Sequence, residues 1–191
     1  MHVNVAQILK FMPNYLFNPA EYPAIGARVD AADDAFFFAQ GPVGGAGKVQ
    51  FEDWAKAYER NLSVPNVAVF YEQAKALKKL LMTAAPSADQ QKDLDFLLTI
   101  GHIFSLVVYG QLVLEQAELI GLDADLLEEI FAVQIRDYSA YATALFGKPS
   151  ATEGQQAWAL GVIRRPVADA ESFGRVWEQV RALDGAYEMS P

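Results

Sequence analysis

The stretch that decides the fold runs from Phe96 to Leu114 and reads FLLTIGHIFSLVVYGQLVL. It holds 19 residues and no charged side chain, a length that suits either a membrane-spanning helix or a helix inside a protein. Acidic residues stand at both of its ends, whereas membrane helices carry a basic excess at one end. Five polar residues also interrupt it, so we favour a buried helix of a bundle over a membrane span. They are Thr99, His102, Ser105, Tyr109 and Gln111.

Helix-end signals follow this stretch. Gly121 is expected to close the long helix, because glycine adopts the left-handed conformation without strain. Asp123 or Asp125 can then cap a second helix. That helix is expected to run to Phe146 and to stop at Gly147-Lys148-Pro149.

Two further helices are predicted towards the C-terminus. Ser150-Ala151-Thr152-Glu153 has the spacing of a capping box and predicts a helix that ends near Ile163. Pro166 separates it from a last helix, in which five apolar residues share one face. They are Phe173, Val176, Trp177, Val180 and Leu183.

The N-terminal side of the long helix shows the same organisation. Ser87-Ala88-Asp89-Gln90 has capping-box spacing and predicts where the long helix begins. Between Phe51 and Leu81, apolar residues recur at three- and four-residue steps, which predicts two more helices. Pro65 marks the start of the second, with Ser63 as its candidate cap. Since the connections are short, we predict an all-α, up-down bundle of five or six helices over residues 51–191.

Residues 1–50 are expected to form an irregular Pro/Gly-rich arm, because four prolines interrupt any long helix there. Short helical pieces are predicted around Val5–Met12 and Ala31–Gln40, and the run Phe36–Phe38 in the second needs a surface to cover it. The stretch Gly41–Val49, GPVGGAGKV, has the composition of a phosphate-binding loop but neither its glycine spacing nor its hydroxyl residue. We interpret it as a joint between the arm and the bundle.

Composition excludes several classes of site and partner. The chain has no cysteine and two histidines, so thiolate nucleophiles, cysteine-ligated metals and centres that need several histidines are excluded. The formal net charge of −9 argues against nucleic acid as a partner, because phosphate contacts need clustered Lys and Arg. The lack of cysteine suits a reducing compartment and no signal-peptide pattern begins the chain, so we expect a cytoplasmic location.

Polar residues on the two long helices are the candidates for a ligand pocket. His102 shares a helical stripe with Tyr109, which is expected to point inward or into a seam between helices. Gln134 and Tyr138 are expected on the inner face of the following helix. These four side chains could line a pocket, in which the imidazole would act as an acid or a base. The alternative is that His102 is a hydrogen-bonded residue of the core.

Arg164 and Arg165 form the one local basic cluster. An arginine pair at a turn between helices can bind a phosphate or a carboxylate. The favoured alternative is that both arginines pair with the acidic helix at residues 123–137.

Several segments carry a resemblance to a known family. In the C-terminal half they are Arg136-Asp137-Tyr138-Ser139-Ala140-Tyr141-Ala142, Gly147-Lys148-Pro149-Ser150, Gln155-Gln156-Ala157-Trp158-Ala159-Leu160, Arg164-Arg165-Pro166-Val167 and Gly185-Ala186-Tyr187-Glu188-Met189. The earlier ones are the segment from Gln40-Gly41-Pro42 through Gly47-Lys48-Val49, and Asp53-Trp54. Together they resemble the C-terminal helical region of bacterial acyl-CoA dehydrogenase-like proteins, over about three quarters of the chain.

The resemblance implies a role more than a reaction. Acyl-CoA dehydrogenases bind FAD and use a glutamate base, and their C-terminal bundle contributes to tetramer packing and to the flavin site. The chain has no segment that looks like their β-domain, and no position here matches the catalytic glutamate. The resemblance therefore implies an auxiliary or stand-alone helical domain that packs against itself or against a larger acyl-CoA dehydrogenase-like protein, with FAD implied only through the family. The alternative is a small enzyme or a protein that binds an apolar or acyl ligand between the long helices.

Overall fold

The structure is a computed structural model, and it describes residues 9–21 and 49–186. Those residues form seven α-helices, a 3-10 helix at Gln90–Lys92 and no β-strand, which confirms the predicted all-α bundle. The helices are α1 Met12–Phe17, α2 Trp54–Arg60, α3 Pro65–Thr83, α4 Leu94–Ile120, α5 Ala124–Phe146, α6 Glu153–Val162 and α7 Ala170–Arg181.

Helix α5 is the centre of the bundle, since it packs against α3, α4, α6 and α7. The uncharged stretch was expected to be a buried helix of the bundle, and one side of it is buried in the core, including Phe96, Ile103 and Val107. That stretch lies in α4, which packs mainly against α2 and α5. Only 50% of its most apolar window is buried, so its other side faces solvent.

Aromatic rings fill the core where α2, α3 and α5 meet. Tyr58, Phe70, Phe131 and Tyr138 are fully buried there. The ring centroid of Phe70 lies 5.5 Å from that of Phe131 and 5.9 Å from that of Tyr138, both in edge-to-face geometry. Such pairs bury much apolar area in a favoured orientation, and packed rings occupy the space between these helices.

The signals after the long helix are confirmed. Gly121 ends α4 with φ 67°, and the N–H of Leu122 donates to the carbonyl of Ala117 at 2.9 Å. Asp123, rather than Asp125, caps α5 by accepting a hydrogen bond from the N–H of Asp125 at 3.0 Å. Helix α5 ends at Phe146, as predicted.

One predicted capping box forms at its predicted residues but opens a different helix, and the other is displaced. Ser87 and Gln90 do bond reciprocally, but this box opens only the 3-10 helix, and Asp93 is the residue that caps α4. The other box is made by Thr152 and Gln155, two residues later than predicted. The two box glutamines then bond each other at 2.8 Å (Gln90 Nε2 to Gln155 Oε1), so the two connections are tied together inside the protein.

The start of α3 differs from the prediction in one respect. Pro65 occupies the first turn, but Ser63 does not cap it, and the N-cap residue Val64 offers no side-chain acceptor. Glu128 of α5 supplies the acceptor instead, because its Oε2 receives the N–H of Asn66 at 2.9 Å. A carboxylate from another helix thus satisfies a free N–H group of α3.

Part of the N-terminal arm joins the bundle. The helix in this region begins at Met12, whereas a piece at Val5–Met12 was predicted, and residues 5–8 lie outside the described residues. Tyr15 and Leu16 are buried, and the Tyr15 hydroxyl donates to Oε1 of Gln111 on α4. The predicted piece Ala31–Gln40, the run Phe36–Phe38 and most of the glycine-rich joint also lie outside the described residues.

Candidate functional site

The two candidates on α4 lie outside the hydrophobic core. Tyr109 is 57% exposed, and His102 is half-buried. The imidazole of His102 stacks on the ring of Tyr141 from α5, with centroids 4.8 Å apart and an interplanar angle of 6°. His102 therefore lies in a seam between α4 and α5, one of the two placements expected for this stripe, whereas Tyr109 faces solvent, which was not expected. The residues of α4 that face the core are others, such as Ile103 and Val107.

The two candidates on α5 lie inside the core. Tyr138 is fully buried, and its hydroxyl donates to the backbone carbonyl of Gln73 at 2.7 Å. Burial raises the pKa of Tyr138 well above its ordinary value, so the hydroxyl stays protonated and acts as a donor. Gln134 is 3% exposed, and both polar atoms of its amide lack a hydrogen-bond partner among the described residues.

Gln134 lies beside a close approach between helices. A Cβ placed on Gly110 of α4 would lie 3.1 Å from Oε1 of Gln134 and 3.2 Å from the ring of Phe70. It would also collide with the hydroxyl of Tyr58, which donates to the carbonyl of Val107 at 2.6 Å. The glycine thus lets α4 approach these rings, and the four predicted pocket residues are divided between the core and the surface.

The arginine pair lies on an exposed connection between α6 and α7. The guanidinium of Arg164 donates to the carbonyl of Ile163 at 2.8 Å, and no ion pair to Arg164 or Arg165 occurs among residues 9–21 and 49–186. The favoured pairing with the acidic helix is therefore wrong for these two residues. Arg175 of α7 makes that pair instead, with Asp125.

Buried polar side chains hold the backbone of this connection in place. Ser139 accepts the N–H of Arg164 at 3.0 Å and bonds its carbonyl at 2.9 Å. Asn66 bonds both backbone groups of Val167, at 2.7 and 3.1 Å, and Gln73 donates to the carbonyl of Val162 at 3.0 Å. These bonds explain why polar residues lie in the core, and they fix the connection without any ligand.

Other site types are not evident in the described part of the chain. It holds no group of three or more His, Asp or Glu side chains arranged to bind a metal ion. A concavity of about 500 Å³ is lined by Val180, Arg181, Leu183 and Asp184. All four of these residues are exposed, so the concavity is a feature of the surface.

Sequence analysis missed that two helices present apolar residues to solvent. On α7, only Ser172 and Val176 are buried, whereas Phe173, Trp177 and Val180 are each 54% exposed. The ion pair between Arg175 and Asp125, together with the bond from Gln179 to Asp123 at 2.9 Å, attaches the polar side of α7 to α5. We call Phe173, Trp177 and Val180 the α7 stripe. Its helical spacing is visible in the sequence, but its exposure is not.

The outer face of α4 is the second apolar surface. Leu112 is 55% exposed and Ile120 is 61% exposed, and no charged residue interrupts this side of the helix between Phe96 and Leu114. By length and composition α4 could span a membrane, but a helix packed into a bundle passes the same test, so this is weak evidence for a span.

Comparisons with protein-family models, with curated proteins and with solved structures find no match to this chain.

Proposed function

We propose that this protein is an auxiliary helical bundle whose function is association, either with itself or with a larger acyl-CoA dehydrogenase-like protein. The observation that carries the proposal is the α7 stripe, in which three large apolar side chains, one of them Trp177, face solvent together. Exposed apolar patches of this kind are typical of interaction sites, and tryptophan is enriched among the residues that dominate binding energy. The family resemblance supports the same role, because the C-terminal bundle of acyl-CoA dehydrogenases takes part in tetramer packing.

FAD enters this proposal only through the family. A flavin needs a concave and largely apolar site that buries most of its ring system. The core of this chain is filled by Tyr58, Phe70, Phe131 and Tyr138, and the concavity at Val180–Asp184 is formed by exposed residues. These described residues do not form such a site, so we propose that any flavin is bound by the partner.

Light scattering tests the proposal, with the protein alone at several concentrations and after co-expression with any acyl-CoA dehydrogenase-like protein that a neighbouring gene encodes. We expect a particle larger than the monomer in at least one of these experiments. Trp177→Ser should weaken that association. Met82→Ser is the matched control, because Met82 is 71% exposed on α3 and lies outside the stripe. A protein that stays monomeric and binds no partner would count heavily against the proposal.

A second candidate function is the binding of a small apolar or acyl ligand. The observation that favours it is Gln134, whose buried amide has no partner among the described residues. A thermal-shift screen of acyl compounds should then show stabilisation that Gln134→Leu abolishes and that His102→Gln, on the outer side of α4, leaves unchanged. Equal shifts for the wild type and Gln134→Leu would exclude this site.

A further inference from the structure

Three exposed arginines occur where the connection between α6 and α7 crosses α5. Arg164 and Arg165 belong to the connection, and Arg136 belongs to α5; we call these three residues the arginine patch. No ion pair includes any of them among residues 9–21 and 49–186. The chain has 24 acidic residues and only 15 basic ones, so three arginines without an acidic partner in this part of the chain are unexpected from composition.

Arg164 is held within one helical turn of Arg136. The buried hydroxyl of Ser139 accepts the N–H of Arg164 at 3.0 Å and lies 2.9 Å from the carbonyl oxygen of the same residue. Arg136 precedes Ser139 by three residues on α5, and side chains with this spacing begin about 5–6 Å apart on one side of a helix. The two arginine side chains therefore start close enough to reach one ligand.

The connection then runs back along α5 towards the start of that helix. Asn66 donates to the carbonyl of Glu128 at 3.2 Å and to the carbonyl of Val167 at 3.1 Å, so Val167 lies beside Glu128. Arg165 lies between the two anchored residues of the connection, over the stretch of α5 that contains Arg136. Because buried side chains already fix this backbone, little of it has to be ordered when a ligand binds, which favours affinity.

We propose that the arginine patch binds a small molecule that carries two or more anionic groups, either phosphate or carboxylate. A guanidinium is a planar fork of N–H donors that binds two oxygens of such a group at once, and it keeps its charge at physiological pH. The guanidinium of Arg164 uses only part of its donor capacity on the carbonyl of Ile163. Three forks along one fixed connection match a ligand with several anionic groups. This site goes beyond the proposed function and does not involve the α7 stripe.

Isothermal titration calorimetry tests the site with two probes, inorganic triphosphate and citrate, at low ionic strength. We expect binding of at least one probe with one site per chain, and the tighter probe tells whether phosphate or carboxylate is preferred. Arg165→Gln and Arg136→Gln should each weaken binding about tenfold, because each removes a charge-assisted contact. Lys56→Gln is the matched control, since it removes the same charge from an exposed position on α2 and should leave the affinity unchanged.

Arg165→Lys separates a specific site from general attraction by positive charge. Lysine keeps the charge but lacks the fork, so the variant should bind more weakly than the wild type. Far-UV circular dichroism checks that every variant keeps the fold, which we expect because the replaced side chains are exposed.

Three results would overturn the inference. They are no binding of either probe, an equal loss of affinity in Lys56→Gln, and full affinity in Arg165→Lys. Binding of a polyglutamate peptide when both small probes fail would assign the arginine patch to an acidic protein partner instead. Each of these results would leave the proposed function standing, because light scattering measures association without either probe.

Discussion

At the scale of single residues, Glu128 is a carboxyl group whose charged form is made less favourable by its position in the fold. It is 6% exposed, and burial raises its pKa above the ordinary value. The hydrogen bond from the N–H of Asn66 lowers the pKa, whereas the nearby charges of Glu129, Asp169 and Asp125 raise it further. Because the net pKa is raised, the folded state binds the proton more tightly than the unfolded state, and stability falls as the pH rises through the folded pKa.

Glu128→Gln should therefore stabilise the protein at neutral pH. The amide oxygen can still accept the N–H of Asn66, and the desolvated charge is gone. Urea unfolding should give a higher midpoint for the variant at pH 7, and the difference should vanish below the ordinary carboxyl pKa, where the wild type is protonated in both states. A lower midpoint at pH 7 would mean that the negative charge itself stabilises the start of α3.

Gly110 shows how one missing side chain determines a helix contact. In a helix exposed to solvent, Gly→Ala stabilises by about 0.5–1 kcal/mol. At Gly110 the new methyl group would collide with the Tyr58 hydroxyl, so we expect Gly110→Ala to destabilise the protein by about 1–3 kcal/mol. Gly174→Ala on α7 is the matched control, because nothing lies within 4 Å of a Cβ there, and it should show the usual gain. Chemical denaturation measures the free energy of unfolding of both variants. Increases of similar size for Gly110→Ala and Gly174→Ala would refute the close contact between Gly110 and the Tyr58 hydroxyl.

At the scale of elements, the start of α4 depends on Asp93 and not on the capping box that precedes it. Asp93 accepts the N–H groups of Asp95 and Phe96 at 3.1 and 3.2 Å, and its other oxygen accepts the hydroxyl of Ser150 at 2.9 Å. These bonds, foremost the one from Phe96, hold the pKa of Asp93 below its usual value. The ionised Asp93 therefore stabilises the folded state fully at pH values above the ordinary carboxyl pKa. This stabilisation is lost as the pH falls through the lowered pKa that Asp93 has in the folded protein.

Asp93→Ala should lower the denaturation midpoint at pH 7 more than Ser87→Ala does, because Ser87 caps only a single 3-10 turn. Circular dichroism in a urea series at pH 7 compares the two variants. The difference between the denaturation midpoints of the two variants should become smaller under acidic conditions, where Asp93 is protonated. Equal losses of stability at pH 7 would show that Asp93 contributes no more than the earlier box to the start of α4.

Local chemistry explains which helix ends could be predicted. Gly121, Asp123 and Phe146 were predicted because each boundary has one candidate signal, or two that lie only two residues apart. The start of α4 was misplaced because Ser87 and Asp93 both have the chemistry of a cap, and the sequence does not rank them. The start of α3 at Pro65 was predicted, but its cap was not, since the acceptor comes from Glu128, on another helix.

The candidate site was predicted less well than the fold, and the reason lies in α4. Periodicity identifies the buried side of a helix only when the other side is polar. Here Leu98 and Leu112, which are half-buried and exposed, are as apolar as the buried Ile103 and Val107, so the pattern could not predict that Tyr109 faces solvent. The buried positions of Gln134 and Tyr138 were predicted correctly, because α5 has charged residues on its outer side.

At the scale of the whole molecule, the described structure extends the hydrophobic core beyond the predicted bundle. The sequence suggested a boundary near residue 51, but Met12, Tyr15 and Leu16 of α1 belong to the same buried cluster as the helices that follow. Tyr15 packs edge-to-face on Phe104 of α4, with centroids 5.4 Å apart. A short helix that precedes the predicted domain thus shares its core with α4.

Leu16→Ala tests whether α1 unfolds together with the bundle. Leu16 is 1% exposed, so its truncation should cost about 2–5 kcal/mol if the core is one cooperative unit. Fluorescence of Trp54, Trp158 and Trp177 should then report a single urea transition at a lower midpoint. Phe17→Ala is the control, because Phe17 is 37% exposed and its loss should matter less. An unchanged midpoint for Leu16→Ala would show that α1 opens separately, since a segment that detaches before global unfolding adds nothing to the global transition.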